Sequence, residues 1–229
     1  MEYTKFISTN EVQFKEYIKD HKDKHEIAFI YGNAPNLKLI DNNWNKQIKE
    51  EFKSKIFTMG LNRSYSYVDS DILLYTDQKM ETELHSNPPF DCGELIKVTK
   101  NDNMANLEYW RDHKKFRQDN YNVLPVFRNI LISALYMCYL LNVKKIVLFG
   151  VQMDNRKYFY GTHVDGYNPE KPYDEVEVLG YTVHKIMKET VEYFFSNNLD
   201  IYYTGDSEFL QSLKGLKHID VEKIKELIC

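Results

Sequence analysis

A polar and aromatic segment in the second half of the chain gathers several side chains that can hold anions or move protons. Six of them fall within twelve residues: Asp154, Arg156, Tyr158, Tyr160, His163 and Asp165. Tyrosine hydroxyls and an arginine can neutralise a phosphate group, and histidine is the side chain best suited to accept a proton near neutral pH. A loop of this length is uncommon in a compact domain unless it covers a site. Residues 152–172 are therefore predicted to form a functional, lid-like loop.

A glycine-containing turn near the start of the chain is a second place where a ligand could bind. The apolar run 26–31 ends in the sequence Gly-Asn-Ala-Pro-Asn at positions 32–36, and a helical pattern follows. Gly32 would let backbone N–H groups approach a phosphate or a ribose, and Asn33 and Asn36 would offer amide donors and acceptors. The alternative is a plain connection in which these residues only make the turn.

Two further strand ends carry small or polar residues. A short strand at 56–59 leads to Asn62, and the run 72–75 ends at Thr76 and Asp77. The carboxyl ends of parallel strands share one edge of a sheet, which is where ligands bind in open α/β folds. These loops are therefore expected to lie near the glycine turn.

One acidic triplet matches a pattern that can hold a divalent cation. Asp69-Ser70-Asp71 has the D-x-D spacing that supplies carboxylate oxygens to such an ion. It precedes a strand instead of following one, so a solvated turn is the favoured interpretation. We therefore assign no metal ligands and expect no required cofactor, while a divalent metal stays an open alternative.

The elements that must position these residues alternate between strand and helix. This alternation predicts a single domain over residues 1–229 with an α/β fold, built on a doubly wound, mostly parallel, Rossmann-like sheet. The clearest block is a helix with apolar residues nearly all round, at 125–141, followed by the strand 145–149. A strand that is apolar on both faces belongs in the middle of a sheet, so Gly150 should lie beside the first glycine turn. A long amphipathic helix is predicted at 176–197.

Composition narrows the class of partner. The net charge of −4 and a pI near 6.0 leave no global basic surface, so nucleic acid is not favoured. Three cysteines without CxxC spacing indicate neither a disulfide framework nor a zinc cluster, which fits a cytoplasmic setting. The sequence shows no signal-peptide core and no run of roughly 18 apolar residues, so no transmembrane segment is predicted. The oligomeric state is left open, with a homo-oligomer as one option.

Several short motifs, taken in order, resemble the bacterial sialyltransferases of lipooligosaccharide synthesis. They are GNAPNLKLID, GLNRSYSY ahead of DILLYTD, ISALYMCYLLNVKKIVLFGVQMD and, after a helix, DIYYTGDSEFLQSL. The chain is also similar to the broader group of Rossmann-like proteins of the 6-hydroxymethylpterin diphosphokinase type. The resemblance covers about residues 27–213 and implies a GT-A-variant fold.

The sialyltransferase resemblance implies where the nucleotide sugar would bind. Ser133 matches a small hydroxyl residue that contacts the nucleotide in these sialyltransferases. Tyr158 or Tyr160 would match the tyrosines that bind the phosphate group in the same enzymes. Gln152 departs from the family, because it places an amide where a carboxylate is usual. The predicted binding residues are Gly32, Asn33, Asn36, Asn62, Asp77, Ser133, Arg156, Tyr158 and Tyr160.

Two histidines are candidates for the general base. Transfer of a sugar to a hydroxyl group requires removal of the hydroxyl proton. The family's histidine falls near Thr182, so either His184 in the following helix or His163 in the loop would take this role. We predict His163 as the base and expect His184 to stabilise its helix.

The sequence therefore predicts a glycosyltransferase. It would transfer a sugar, sialic acid or a related one, from a nucleotide-sugar donor to a hydroxyl acceptor on a glycan or another biomolecule. The alternatives are a pyrophosphate transferase of the pterin diphosphokinase type and a non-catalytic nucleotide-binding protein, because a shared fold does not settle function.

Overall fold

The computed structural model describes residues 6–8, 12–76, 80, 82–84, 92–97, 129–155, 157–159, 177–178 and 181–229. Within them an eight-stranded sheet forms, and every neighbouring pair of its strands is parallel. A separate antiparallel hairpin pairs residues 177–178 with residues 181–182. The strands are β1 (Phe6–Ser8), β2 (Ile27–Tyr31), β3 (Ile56–Leu61), β4 (Ser70–Tyr75), β5 (Cys92–Lys97), β6 (Lys145–Phe149), β7 (Glu177–Val178), β8 (Tyr181–Thr182), β9 (Asp200–Tyr203) and β10 (Leu216–His218).

The order of the strands in the large sheet is β1-β5-β4-β3-β2-β6-β9-β10. From β2 the chain winds outward through β3 and β4 to β5, and it then returns to the other side of β2 to form β6, β9 and β10. The winding direction thus reverses between β2 and β6, where Tyr31 lies opposite Phe149. The predicted doubly wound α/β fold is confirmed. Such a reversal leaves a crevice at the carboxyl ends of the two strands, where ligands bind in this class of fold.

Helices cover both faces of the sheet because its central strands are apolar on both sides. In β2, Ala28 and Ile30 belong to one hydrophobic core, whereas Phe29 and Tyr31 belong to the other. The first core includes residues of the helices at 12–21, 130–140, 183–196 and 208–212, and the second includes residues of the helices at 42–51 and 224–228. The helices are α1 (Val12–His21), α2 (Asn42–Glu51), α3 (Ile130–Leu140), α4 (Val183–Ser196), α5 (Glu208–Ser212) and α6 (Ile224–Ile228).

Helix α3 is the most deeply buried helix of the first core. Ten of its eleven residues are buried, which explains the apolar pattern nearly all round this helix. Each fully buried leucine or isoleucine contributes about 1.5 to 3 kcal/mol to stability, so α3 is held firmly in place. In the described ranges, none of the helices combines the length and the apolar character that crossing a bilayer requires.

The helix predicted at 176–197 begins later than the sequence pattern indicated. Residues 177–178 and 181–182 form the β7–β8 hairpin, and Thr182 then caps α4 by accepting a hydrogen bond from the Lys185 N–H group at 3.2 Å. A threonine cap satisfies one of the N–H groups that have no partner within a helix. The helix therefore starts at Val183, and His184 lies in its first turn.

Candidate functional site

An open cleft lies at the carboxyl ends of β2, β3 and β6, at the point where the winding of the sheet reverses. Its walls come from distant parts of the sequence, namely residues 32–34, 61–62, 129–131 and, in the loop after β6, residues 150–153, 155 and 157–158. The part of the cleft bounded by these residues has a volume of about 130 Å³. Typical ligand pockets measure about 300 to 1,000 Å³, so this volume is smaller than that of a typical complete ligand pocket.

Two glycines allow the loops after β2 and β6 to cross closely. The Gly32 N–H group donates to the Phe149 carbonyl oxygen, and the Ala34 N–H group donates to the Gly150 carbonyl oxygen, both at 2.7 Å. A Cβ atom on Gly32 would lie 2.3 Å from the Gly150 carbonyl oxygen, and Gly150 has a φ angle of +65°. The predicted position of Gly150 beside the first glycine turn is therefore confirmed.

Asn33 and Asn62 line the cleft from two neighbouring strand ends. The Asn33 Nδ2 atom donates to the Leu61 carbonyl oxygen at 3.1 Å, which fixes the plane of this amide. The Oδ1 atoms of both asparagines are buried and accept no hydrogen bond from any described residue. A buried acceptor without a partner costs about 1 to 3 kcal/mol. These oxygens are therefore suited to accept hydrogen bonds from N–H or O–H groups of a ligand.

The amino end of α3 also faces the cleft, a contribution that the sequence analysis missed. Asn129 caps this helix, because its Oδ1 atom accepts from the Leu131 N–H group at 3.0 Å, and residues 129–131 line the cleft. The first turn carries no acidic residue, so the partial positive charge of the helix end is available to an anion. An asparagine before an apolar helix is a start signal, but Pro125 moved the predicted start to an earlier position.

The loop after β6 folds back across the first glycine turn. The Phe159 N–H group donates to the Asn33 carbonyl oxygen at 2.9 Å, and the Phe159 ring packs on Tyr67 with 5.4 Å between ring centroids. This attachment places Lys157 and Tyr158 at the cleft wall. Tyr158 belongs to the predicted set, whereas Lys157, which adds a positive charge, does not.

Two residues of the predicted binding set are placed away from the cleft wall. The Asn36 Nδ2 atom donates to the carbonyl oxygens of Thr204 at 2.8 Å and Val151 at 3.4 Å, so Asn36 ties together loops that follow three strands. Ser133 is fully buried in α3. Neither side chain is among the residues that line the cleft. Four other predicted site residues lie outside the described residues, namely Asp77, Arg156, Tyr160 and His163.

His184 adjoins the cleft through Met153, which is part of the cleft wall. The Nε2 atom of His184 lies 2.6 Å from the Met153 carbonyl oxygen. Because a carbonyl oxygen can only accept, Nε2 carries the proton and Nδ1 of the neutral ring carries the lone pair. The imidazole ring also stacks on Phe209, with 3.7 Å between ring centroids. The position and the tautomer of this histidine are thus set by its surroundings.

The side-chain amide of Gln152 makes a hydrogen bond that joins two loops. It lies at the position where the motif resemblance implies a carboxylate. Its Nε2 atom donates to the carbonyl oxygen of Asp206 at 3.0 Å, in the loop after β9. An ionised carboxylate accepts hydrogen bonds only, so it could not replace the amide in this contact. An amide at position 152 therefore fits the way in which these two loops are joined.

The acidic triplet lies at the amino end of β4, away from the cleft. Asp71 accepts hydrogen bonds from the Thr58 N–H group and from Lys49 Nζ, both at 2.7 Å, and Asp69 pairs with Lys46 at 3.2 Å. The interpretation of this segment as a solvated turn was incomplete, because both carboxylates are paired with lysines. Ion pairing of this kind holds α2 against the amino ends of β3 and β4.

A second cavity, of about 740 Å³, lies near these carboxylates between α1 and α2. His25 lines this cavity and stacks on Phe57, and its Nδ1 atom is buried without a hydrogen bond to any described residue. Burial lowers the pKa of His25 from its usual 6.5, although the negative charge of Asp71 acts in the opposite direction. The cavity lies away from the carboxyl ends of the strands, so it is not the expected ligand site of this fold.

We expect His25 to make the protein less stable in mildly acidic solution. Its pKa is lower in the folded chain than in the unfolded chain, so the unfolded chain binds more protons between these two values. The free energy of unfolding should therefore fall as the pH drops from about 6.5 through the lowered pKa. Chemical denaturation at a series of pH values should show a weaker pH dependence for His25→Gln than for the wild type. Equal slopes for the two proteins would assign the effect to another group.

Comparison with known proteins gives a likeness of fold at low sequence identity. No protein-family model and no curated protein matches the chain. Among solved structures, a variant of the sialyltransferase CST-II in complex with CMP has a TM-score of 0.46 and 14% identity, covering 78% of this chain and 80% of that chain. The monofunctional α-2,3-sialyltransferase Cst-I from Campylobacter jejuni has a TM-score of 0.45 and 15% identity, covering 80% and 76%. CST-II in complex with a trisaccharide acceptor and CMP has a TM-score of 0.42 and 12% identity, covering 77% and 80%.

Proposed function

We propose that the cleft binds the nucleotide of a nucleotide-sugar donor and that the protein is a glycosyltransferase. The observation that carries this proposal is the pair of buried amide oxygens on Asn33 and Asn62, which lack partners among the described residues, beside the amino end of α3. Amide oxygens suit the amino and hydroxyl groups of a nucleoside, and a helix amino end suits its phosphate. The sugar, sialic acid or a related one, would pass to a hydroxyl group of a glycan or another acceptor. The motif resemblance makes a CMP-sugar the first donor to test.

Several positive or hydrogen-bonding groups would stabilise the phosphate as it leaves the sugar. The amino end of α3, the Lys157 ammonium group and the Tyr158 hydroxyl group belong to residues at the cleft wall. Groups of this kind offset the charge that develops on a leaving phosphate. Arg156 and Tyr160 flank this part of the loop in the sequence, and we include both in the proposed phosphate site.

We propose His184 as the general base, with His163 as the alternative. The hydrogen bond to the Met153 carbonyl oxygen assigns the proton to Nε2, so Nδ1 is the ring nitrogen that would receive a proton, and Met153 itself lines the cleft. The proton of the acceptor hydroxyl would move to Nδ1 as the new bond to the sugar forms. The bond between sugar and phosphate would break at the same time, and its electron pair would leave on the phosphate oxygen. A general base must lie within hydrogen-bond distance of the proton that it removes. The distance between Nδ1 and the acceptor hydroxyl group in the complex therefore decides whether His184 can act as the base.

Replacement of the two cleft asparagines should weaken nucleotide binding and leave the fold intact. Asn33→Ala removes one amide, and Asn62→Gly removes the other while it tolerates the φ angle of +48° at this position. Each loss should cost about 1 to 3 kcal/mol of binding, or roughly 5- to 150-fold in Kd. Titration calorimetry with CMP, combined with thermal melting, measures both quantities. Asn43→Ala, at an exposed position of α2, is the matched control. Wild-type affinity in both cleft variants would contradict the proposed site.

The class of nucleotide can be tested by thermal shift with CMP, UDP, GDP and ATP compounds. A ligand at 100 times its Kd stabilises the folded state by about 2.7 kcal/mol, which is readily measured. We expect stabilisation by CMP or a CMP-sugar, and slow hydrolysis of the donor when no acceptor is present. Stabilisation by ATP only with magnesium would favour the pterin diphosphokinase type. Binding of a nucleotide without turnover of any donor would favour a non-catalytic protein.

A further inference from the structure

Among the described residues, the loop after β6 makes three hydrogen bonds to the loop after β9 and to the start of α5, beside the first turn of α4. The Ser207 hydroxyl group donates to the Gln152 carbonyl oxygen, and the Gln152 amide donates to the Asp206 carbonyl oxygen. The third contact runs in the same direction as the first, because the Phe209 N–H group donates to Asp154 Oδ1 at 2.8 Å. Each loop thus both donates and accepts, so the two loops are held in one relative position.

Phe209, in the first turn of α5, presents its ring to His184 beside these contacts. The two ring centroids are 3.7 Å apart and the ring planes differ by 10°. Most aromatic pairs have centroids 4.5 to 7 Å apart in offset or edge arrangements, so this is an unusually close contact of two faces. The contact restricts tilting of the imidazole ring, and the hydrogen bond from Nε2 to the Met153 carbonyl oxygen restricts its rotation.

The backbone at Met153 is adapted to this arrangement. Met153 has a φ angle of +64°, in the left-handed region that few residues other than glycine adopt. A conformation of this kind costs about 1 to 3 kcal/mol and is found mainly where the surroundings require it, often at functional sites. Here the carbonyl group of Met153 is the acceptor for His184. Met153 therefore contacts the edge of the His184 imidazole ring, and Phe209 contacts its face.

We infer that Phe209 is a positioning residue for His184. The ring of Phe209, whose backbone N–H group is held by the Asp154 carboxylate, keeps the imidazole in the orientation that places the proton on Nε2 and the lone pair on Nδ1. This inference rests on the proposed function, in which Nδ1 receives the proton of the acceptor hydroxyl. In many other sites, a carboxylate orients the catalytic histidine. Here the ring face of Phe209 and the Met153 carbonyl group would orient His184 instead.

A set of Phe209 variants separates positioning from general stability. Phe209→Leu removes the aromatic face and retains both apolar volume and the N–H group that Asp154 binds. Since a small misplacement of a catalytic group can cost about 100-fold, we expect kcat to fall roughly 10- to 100-fold, with the KM for the donor and the melting temperature nearly unchanged. Phe209→Tyr keeps the ring and should restore most of kcat. Phe195→Leu, a half-exposed aromatic side chain of the same helix as His184, is the control.

A second measurement does not depend on activity. Side-chain ¹⁵N–¹H spectra, assigned with His184→Gln, report which ring nitrogen of His184 carries the proton. We expect one tautomer, protonated at Nε2, in the wild type and a mixture in Phe209→Leu. Absence of transferase activity in the wild type would contradict the proposed function alone, because the spectra still test the contact. A wild-type ring protonated at Nδ1, an unchanged tautomer in Phe209→Leu, or a loss of kcat that Phe209→Tyr fails to restore would overturn the inference.

Discussion

His184→Gln should lower the turnover of the nucleotide-sugar donor by about 10²- to 10⁴-fold, the range that a positioned general base contributes. Donor affinity should stay close to that of the wild type, because the residues that line the cleft are unchanged. Glutamine can still donate a hydrogen bond from its side-chain amide toward the Met153 carbonyl oxygen, so the effect of lost packing is kept small. Initial rates of transfer, together with calorimetric titration of CMP, measure the two quantities separately.

His163→Ala is the paired variant for this experiment, because the sequence analysis predicted His163 as the base. If His163→Ala removes turnover in a folded protein and His184→Gln does not, the sequence prediction is correct and His184 only stabilises its helix. Comparable losses in both variants would assign a role to each histidine. Melting temperatures of both variants exclude unfolding as the cause.

Gly150→Ala should destabilise the protein by about 2 to 6 kcal/mol. The φ angle of +65° is strained for any residue with a Cβ atom, at about 1 to 3 kcal/mol. The new Cβ atom would also lie 2.8 Å from the Gly32 carbonyl oxygen and from the Cβ atom of Leu37, and overpacking of this kind adds about 1 to 3 kcal/mol. Urea denaturation gives the change in the free energy of unfolding, and nucleotide binding should be lost along with the crossing of the two loops.

Gly215→Ala is the control for the crossing, because Gly215 also has a positive φ angle, +99°. There the three atoms nearest to the new Cβ atom all belong to the side chain of Phe195, which is 41% exposed, and no backbone carbonyl oxygen is among them. The loss of stability in Gly215→Ala should therefore be smaller than in Gly150→Ala. Equal losses would show that the close approach of the two backbones at Gly150 adds nothing beyond the strained φ angle.

The sequence by itself determined the class of fold and the strands at its centre. Alternating strand and helix patterns predicted the doubly wound sheet, and the apolar run before Gly150 correctly predicted a strand in the middle of it. These predictions succeeded because they depend on local periodicity, which a short stretch of sequence encodes. The cap of α5 is equally local, because the Ser207 hydroxyl group accepts from the Leu210 N–H group three positions along the chain.

The tertiary structure alone decided which loops meet and which side chains face the cleft. Asn36 and Thr204 are 168 positions apart in the chain, yet they share a hydrogen bond, which placed Asn36 away from the cleft wall. The start of α3 at the cleft and the stack of Phe209 on His184 were likewise invisible to local patterns. These contacts depend on the order of the strands in the sheet. That order results from burying both faces of the whole sheet at once, which depends on all segments of the sequence together and cannot be predicted from any one of them.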